Sequence, residues 1–388
     1  MNRVGLVLAC LLVSSVLFVN LQNIQATSEA AENTWQTLRP LPEPLSGIAA
    51  AVGDKIYIFS GSRQDYIYRL FVYDTQNQTL NQLSAMPTYR TDFGVAVVDG
   101  KIYAIGGQGA PGQGPTNINE VYDTETATWE TKQPVPDSHS IMIASAVDGK
   151  IYAIYEPYMS AYDPETDNWT RTTAPPDELF DHAGRLYSSA MDDKLYALQD
   201  SGQGEMFIYD TKTRNWSTAA PLPTVYESAC MVATTGEHAP KRIYLMGGAI
   251  WHLSPFGDFE AINATFSYDP TSDSWIRAAD MPTARQSAAV AVVDDKIYAL
   301  GGGIQAYWLD PSQTDAVELY TPFGYVAEQP SASPSNGPES SQSDLPEATV
   351  VIVGVVVGAV VAGTVIVATA MIIYHRKHLK TAKQNKPN

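Results

Sequence analysis

The chain has 388 residues, 45% of them apolar, and sets 24 Lys and Arg against 42 Asp and Glu for a net charge of −18. That acidity excludes nucleic acid and anionic lipid headgroups as partners, because both need basic patches to neutralise phosphates. The length could accommodate two or three domains, but internal repeats override that prior.

Arg3 precedes an apolar run from Val4 to Val19, and Ile24-Gln25-Ala26 leads into a polar stretch. The run is short for a membrane span, and a small residue stands at a suitable cleavage point. Residues 1–26 are therefore predicted to be a secretory signal peptide. Cys10 lies within this segment, so the processed chain keeps Cys230 as its one cysteine and forms no internal disulfide.

From there a unit of about fifty residues recurs: Asp-x-Lys-Ile-Tyr-Ala, often Gly-Gly, a variable stretch, then Tyr-Asp and a tryptophan seven residues after the tyrosine. Its first half falls at Tyr57, Tyr103, Tyr152, Tyr196, Tyr244 and Tyr298, and its second at Tyr73, Tyr122, Tyr162, Tyr209, Tyr268 and Tyr320. Both halves count to six. Four short strands per unit at this period predict a six-bladed β-propeller over residues 27–324. Runs of small residues such as Ile48-Ala-Ala-Ala-Val52 suit innermost strands crowded at the axis, and Lys101-Ile-Tyr-Ala-Ile105 reads as a half-buried second strand. Trp35 matches the outer-strand tryptophan with no strands before it, while the last unit ends at Tyr320 without a fourth strand. The two ends are expected to complete one blade together.

Residues 325–347 are rich in Pro, Ser, Gln and Glu and read as a solvated stalk. Ala348 to Tyr374 then carries no charge, and its length as a helix, about 40 Å, exceeds a hydrocarbon core of about 30 Å. Arg376, Lys377, Lys380, Lys383 and Lys386 follow, which places the tail, 375–388, in the cytoplasm and the propeller outside. Arg3 and this tail set aside, 18 basic residues face 42 acidic ones, so the ectodomain carries −24. Gly354, Gly358 and Ala362 recur at four-residue spacing, a packing device from which a homodimer through the span is expected.

These motifs resemble the kelch repeat family over roughly Trp35 to Tyr320. The resemblance implies an all-β, six-bladed kelch-type propeller, here with a C-terminal single transmembrane α-helix. It also implies that ligands meet the face carrying the second-to-third-strand loops and the crossovers between blades. Trp251 and Trp308 lie outside the repeat pattern in two long loops of neighbouring blades, with Phe256, Phe259 and Tyr307 close in sequence. Together they suggest a patch for a protein or glycan, or aromatic packing that folds the loops on themselves. Arg90 and Arg285 stand in crossovers, where an arginine can clamp a ligand carboxylate or brace adjacent loops.

The Tyr-Asp carboxylates recur once per blade and cannot converge on one ion, so a structural role is expected, with no metal or cofactor. Galactose oxidase, a kelch relative with a copper site, has no counterpart here: Cys230 sits in an inner-strand sequence, Ser228-Ala-Cys-Met-Val232. A competing reading is a surface-tethered sugar-modifying enzyme resembling the six-bladed sialic acid mutarotases, with Glu227 as acid–base carboxylate. Sequons occur at Asn77, Asn168, Asn215 and Asn263, and export would make glycosylation feasible.

Overall fold

The structure is a computed structural model and describes residues 31–62, 67–180, 185–199, 204–224, 226–251, 259–304 and 312–327. The predicted signal peptide and membrane span, and the stalk beyond residue 327, lie outside the described residues. Among the described residues no helix is long and apolar enough to cross a membrane.

Six four-stranded antiparallel sheets form the blades. Their innermost strands are Ile48–Val52, Gly94–Val98, Ile143–Val147, Leu186–Met191, Cys230–Ala233 and Ala289–Val293 for blades 1 to 6. Each adjoins the next, and the last adjoins the first, so the ring closes. Blade 6 is shared by the two ends of the domain as expected. Thr34–Thr37 pairs with Val317–Thr321, setting Trp35 opposite Tyr320.

The second strands are buried on both sides, not one. Ile102, Tyr103, Ala104 and Ile105 are all at most 3% exposed, because each blade packs one face against the blade before it and the other against the blade after. Alternate residues therefore serve different interfaces: Ile56 and Ile58 pack towards blade 6, Tyr57 and Phe59 towards blade 2. The core comprises six interblade clusters, one for each junction.

Polar links reinforce each junction at the rim. The outer-strand indoles of Trp35, Trp129, Trp169, Trp216 and Trp275 donate to carbonyls of the preceding blade or crossover, at Ala279, Ser84, Gln133, Thr173 and Ala220 respectively. Each indole also lies about 5 Å from the tyrosine paired across the strand, such as Tyr162 at 4.9 Å from Trp169. Two residues before Trp169 and Trp275, Asp167 and Asp273 accept the Gln133 and Ala220 amides of the preceding crossover. Asn33 does the same for Ala279. In blade 1, where Leu80 replaces tryptophan, Gln78 holds the equivalent link by accepting from the Arg39 amide. The Asp167 carboxyl is held below its ordinary pKa, first by the Tyr162 hydroxyl and then by the Gln133 amide.

The Tyr-Asp carboxylates turn inward on their own turns. Asp74, Asp123 and Asp210 each accept two backbone N–H groups, two and three residues on. They also face the lysine that opens the second strand, as in Lys101–Asp123 at 3.4 Å and Lys150–Asp163 at 3.0 Å. The lysine and aspartate of the repeat are thus cross-strand partners.

Tyr325 and Val326 pack on the side of these turns. Asp295, 1% exposed, accepts the amides of Thr235, His238 and Ala239 and so clasps the long first-to-second-strand connection of blade 5. Val326 then donates to the His238 carbonyl at 2.7 Å, and Tyr325 lies between the His238 ring and the Lys296 ammonium.

Candidate functional face

The opposite side is built from the crossovers and the second-to-third-strand connections, which interlock by backbone pairing. Arg90–Thr91 forms a ribbon with Gln108–Gly109, and His139 bridges to Thr116. Glu227 bridges to Ala249, and Gln286 to Gly303. Glycines make the close approaches here. A Cβ on Gly301 would stand 2.0 Å from the Leu45 carbonyl oxygen, and one on Gly247 2.4 Å from that of Arg285. Both have positive φ, which glycine adopts without strain.

Arg90 and Arg285 are fully buried, and a ligand clamp is not what their geometry provides. Arg90 donates to Glu120 at 2.6 Å and to the Ala104 carbonyl at 2.7 Å. Arg285 donates to the carbonyls of Gly301 and Ala316 and is ion-paired with Glu318 at 2.7 Å. Thr88 and Thr283 cap the two carboxylates. Burial draws both guanidinium pKa values down, opposed by the paired carboxylate. A sequence signal for this existed. Pro-Thr-x-Arg occurs only at 87–90 and 282–285, and only the blades that follow carry Glu-x-Tyr, at Glu120 and Glu318, where others have apolar residues or serine. The two arginines are braces between a crossover and the third strand of the next blade.

The aromatic candidates divide between described and other residues. Trp251 and Phe259 end two short strands, Ala249–Trp251 and Phe259–Ala261, and are opposite each other in register. The blade 5 loop is thus a β-ribbon at its base. Phe256, Tyr307 and Trp308 lie outside the described residues. Glu227 joins this region through its backbone, and the Arg285 amide donates to the Ile262 carbonyl just beyond the ribbon. Glu227, the ribbon and Arg285 therefore form one neighbourhood, while Arg90 sits apart between blades 1 and 2. With both arginines committed to braces, neither is free to contact a ligand on this face.

Side chains that sequence patterning does not flag stand out on this face. Ile141 is 45% exposed, Tyr158 37%, Ile250 39% and Ile304 39%. Ile141 lies in a crossover and the other three at second-to-third-strand connections. Tyr158 carries the Arg171 guanidinium 3.8 Å above its ring, and Arg171 is ion-paired with Asp137.

Asn77 is exposed in a third-to-fourth-strand turn, and Asn168 and Asn215 are exposed where such turns enter the fourth strand, away from the loop face. Asn263 differs. Its Nδ2 donates to the Met281 carbonyl and its carbonyl accepts the Met281 amide, the arrangement Asn117 makes with Val135 in blade 2. Thr265 of the same sequon is fully buried. Asn263→Ala is expected to lower stability by about 1–2 kcal/mol, since the Met281 carbonyl loses its donor. Asn168→Ala should change it by less than about 0.5 kcal/mol. Denaturant unfolding of the two variants checks the contrast.

Cys230 is partly exposed as a residue, but its thiol donates to the Ala288 carbonyl at 3.2 Å, and burial pushes its pKa up to about 12. A raised folded-state pKa favours the protonated thiol, so its contribution to stability is full below the unfolded pKa of about 8.5 and is lost as pH rises towards 12. At pH 8 the native thiol should react with a thiol-specific reagent at least ~100-fold more slowly than in denaturant; equal rates would contradict its placement.

A family model described as the FKB95 Kelch-repeats domain matches residues 20–239. The chain is 29% identical over 283 residues to the Kelch-like protein terF of Aspergillus terreus, covering 66% of this chain and 49% of that protein. It is 26% identical over 170 residues to Kelch-like protein 36 of Rattus norvegicus, covering 42% and 25%. It thus spans a quarter to a half of the length of these curated relatives. The solved structure of YjhT superposes with a TM-score of 0.58 at 16% identity, covering 73% of this chain and 97% of that one, which bears on fold alone. Family match, repeat and six closed blades agree: the chain belongs to the kelch-repeat family.

Proposed function

We propose that this kelch propeller is an extracellular, membrane-anchored binding module that holds a protein or glycan partner on its loop face. Export and anchorage rest on the sequence: the leader at 1–26, the uncharged stretch Ala348 to Tyr374 and the basic tail after it. The observation that carries the binding role is the distribution of exposed apolar side chains. Of the six large ones among the described residues, Ile141, Tyr158, Ile250 and Ile304 are on the loop face, and only Ile276 and Val326 are elsewhere. A protein partner is favoured because aliphatic anchors suit a protein contact better than a sugar face.

The test has two parts. Protease applied to intact cells should release the propeller and leave the tail protected; a protected propeller contradicts the topology. The full chain, screened on protein and glycan arrays, should bind saturably, and Ile141→Asp with Ile304→Asp should abolish that binding. Ile276→Asp on the outer strand should not affect it. Equal losses for all three substitutions would overturn the assignment to the loop face.

A further inference from the structure

We infer that the partner segment received by the loop face is basic and aliphatic, a stretch of polypeptide bearing Lys or Arg beside Leu or Ile. The inference rests on the proposed binding role of that face and names the chemistry of its occupant. Charge is distributed unequally between the two sides of the ring. Lys55, Lys101, Lys150, Lys194 and Lys296 open second strands on the turn side, with Arg242 taking the same place in blade 5. In blades 2, 3 and 5 these cations are ion-paired with the repeat's aspartates, as in Arg242–Asp269 at 3.1 Å; in blade 6, where Thr321 stands in the aspartate's place, Lys296 lies over the Tyr325 ring. Lys212 and Lys241 lie on that side too, where they bridge neighbouring blades through Asp148 and Asp192.

On the loop face, no described residue of a crossover or second-to-third-strand connection is a lysine. Of the arginines in these segments, Arg90 and Arg285 are buried against Glu120 and Glu318, which leaves Arg39 and Arg185 exposed. The same segments hold eleven carboxylates, among them Asp92, Glu156, Glu178, Glu205, Glu227 and Glu260. Lys132, Arg171 and Arg277 end fourth strands at this side, each ion-paired with a carboxylate, Glu130, Asp137 and Asp280 respectively; the carboxylates that remain still outnumber the exposed Arg39 and Arg185. Interspersed with these carboxylates are the four exposed side chains Ile141, Tyr158, Ile250 and Ile304. Apolar anchors ringed by one sign of charge match a partner with apolar residues flanked by the opposite sign, and the charge sets orientation and association rate.

The test uses the full chain and three sets of tethered peptides of equal length and identical Leu/Ile content, carrying Lys/Arg, Asp/Glu or only Ser/Gly at the remaining positions. The basic set should bind at least ~10-fold more tightly than the acidic set at low salt, with the advantage shrinking as ionic strength approaches 0.5 M. Glu156→Lys with Glu205→Lys should narrow the preference while leaving the melting temperature unchanged. Equal binding of the three sets, or preference for the acidic set, with Ile141→Asp still abolishing it, would overturn the charge inference and leave loop-face binding intact. Basic-set binding that survives both Ile141→Asp and the charge reversals would overturn the loop-face assignment and this inference with it.

Discussion

Arg285→Met should destabilise the propeller by about 3–5 kcal/mol, because it strands the Glu318 carboxylate, 1% exposed, without a counter-charge. The carbonyls of Gly301 and Ala316 lose their donor in the same substitution. Adding Glu318→Leu should restore most of the loss, since removing both charges replaces a buried ion pair with apolar packing. Arg90→Met and Arg90→Met/Glu120→Leu should behave the same way at the blade 1–2 junction, where the pair is at 2.6 Å. Equilibrium denaturation of the four variants measures this. Were the arginines ligand clamps instead, the single substitutions would leave stability within about 0.5 kcal/mol and act on binding alone.

The second large effect is expected at the ring closure. Trp35→Ala removes the indole bond to the Ala279 carbonyl and the packing on Tyr320, whose ring centroid is 5.1 Å away. Its cost should be about 3 kcal/mol. Trp216 makes the same type of contact, with Thr173 and Tyr209, inside a blade whose strands are consecutive in the chain. Trp216→Ala should lower stability comparably, but only Trp35→Ala should promote aggregation. Loosening the strand Thr34–Thr37 uncovers the backbone edge of Val317–Thr321, which is free to pair with another molecule. Thermal unfolding with light scattering distinguishes the two; equal aggregation would show that the terminal strand does not seal the ring.

Much of the architecture was legible because each blade repeats its own evidence. The Tyr–Trp spacing identifies the third and fourth strands four times over, and the unmatched Trp35 and Tyr320 identify the closure by their missing neighbours. The fates of Arg90 and Arg285 were harder to read. Each depends on a glutamate about thirty residues later, and the cue lay in comparing blades with one another. The sequon at Asn263 misleads for a related reason: its side-chain amide bonds to the crossover carbonyl of Met281, a partner that local sequence does not reveal. Ile141, Ile250 and Ile304 escaped notice because isoleucine is ordinary core material, and only the assembled loops leave them exposed. The second strands read as half-buried because a one-blade view supplies a single apolar face. The ring supplies two.

The closure itself can be tested with one disulfide. Gln36 and Leu319 are paired across the antiparallel strands that join the chain's ends. Such partners lie about 4.5–5.5 Å apart at Cα, within the range a disulfide bridges. In a Cys230→Ser background, Gln36→Cys with Leu319→Cys should cross-link quantitatively on mild oxidation of the folded protein. The bond should add about 2–4 kcal/mol and raise the melting temperature, an increase that vanishes on reduction. A pair that stays reduced in the native state, or oxidises with no change in melting temperature, would contradict a propeller of six blades fastened by its first strand.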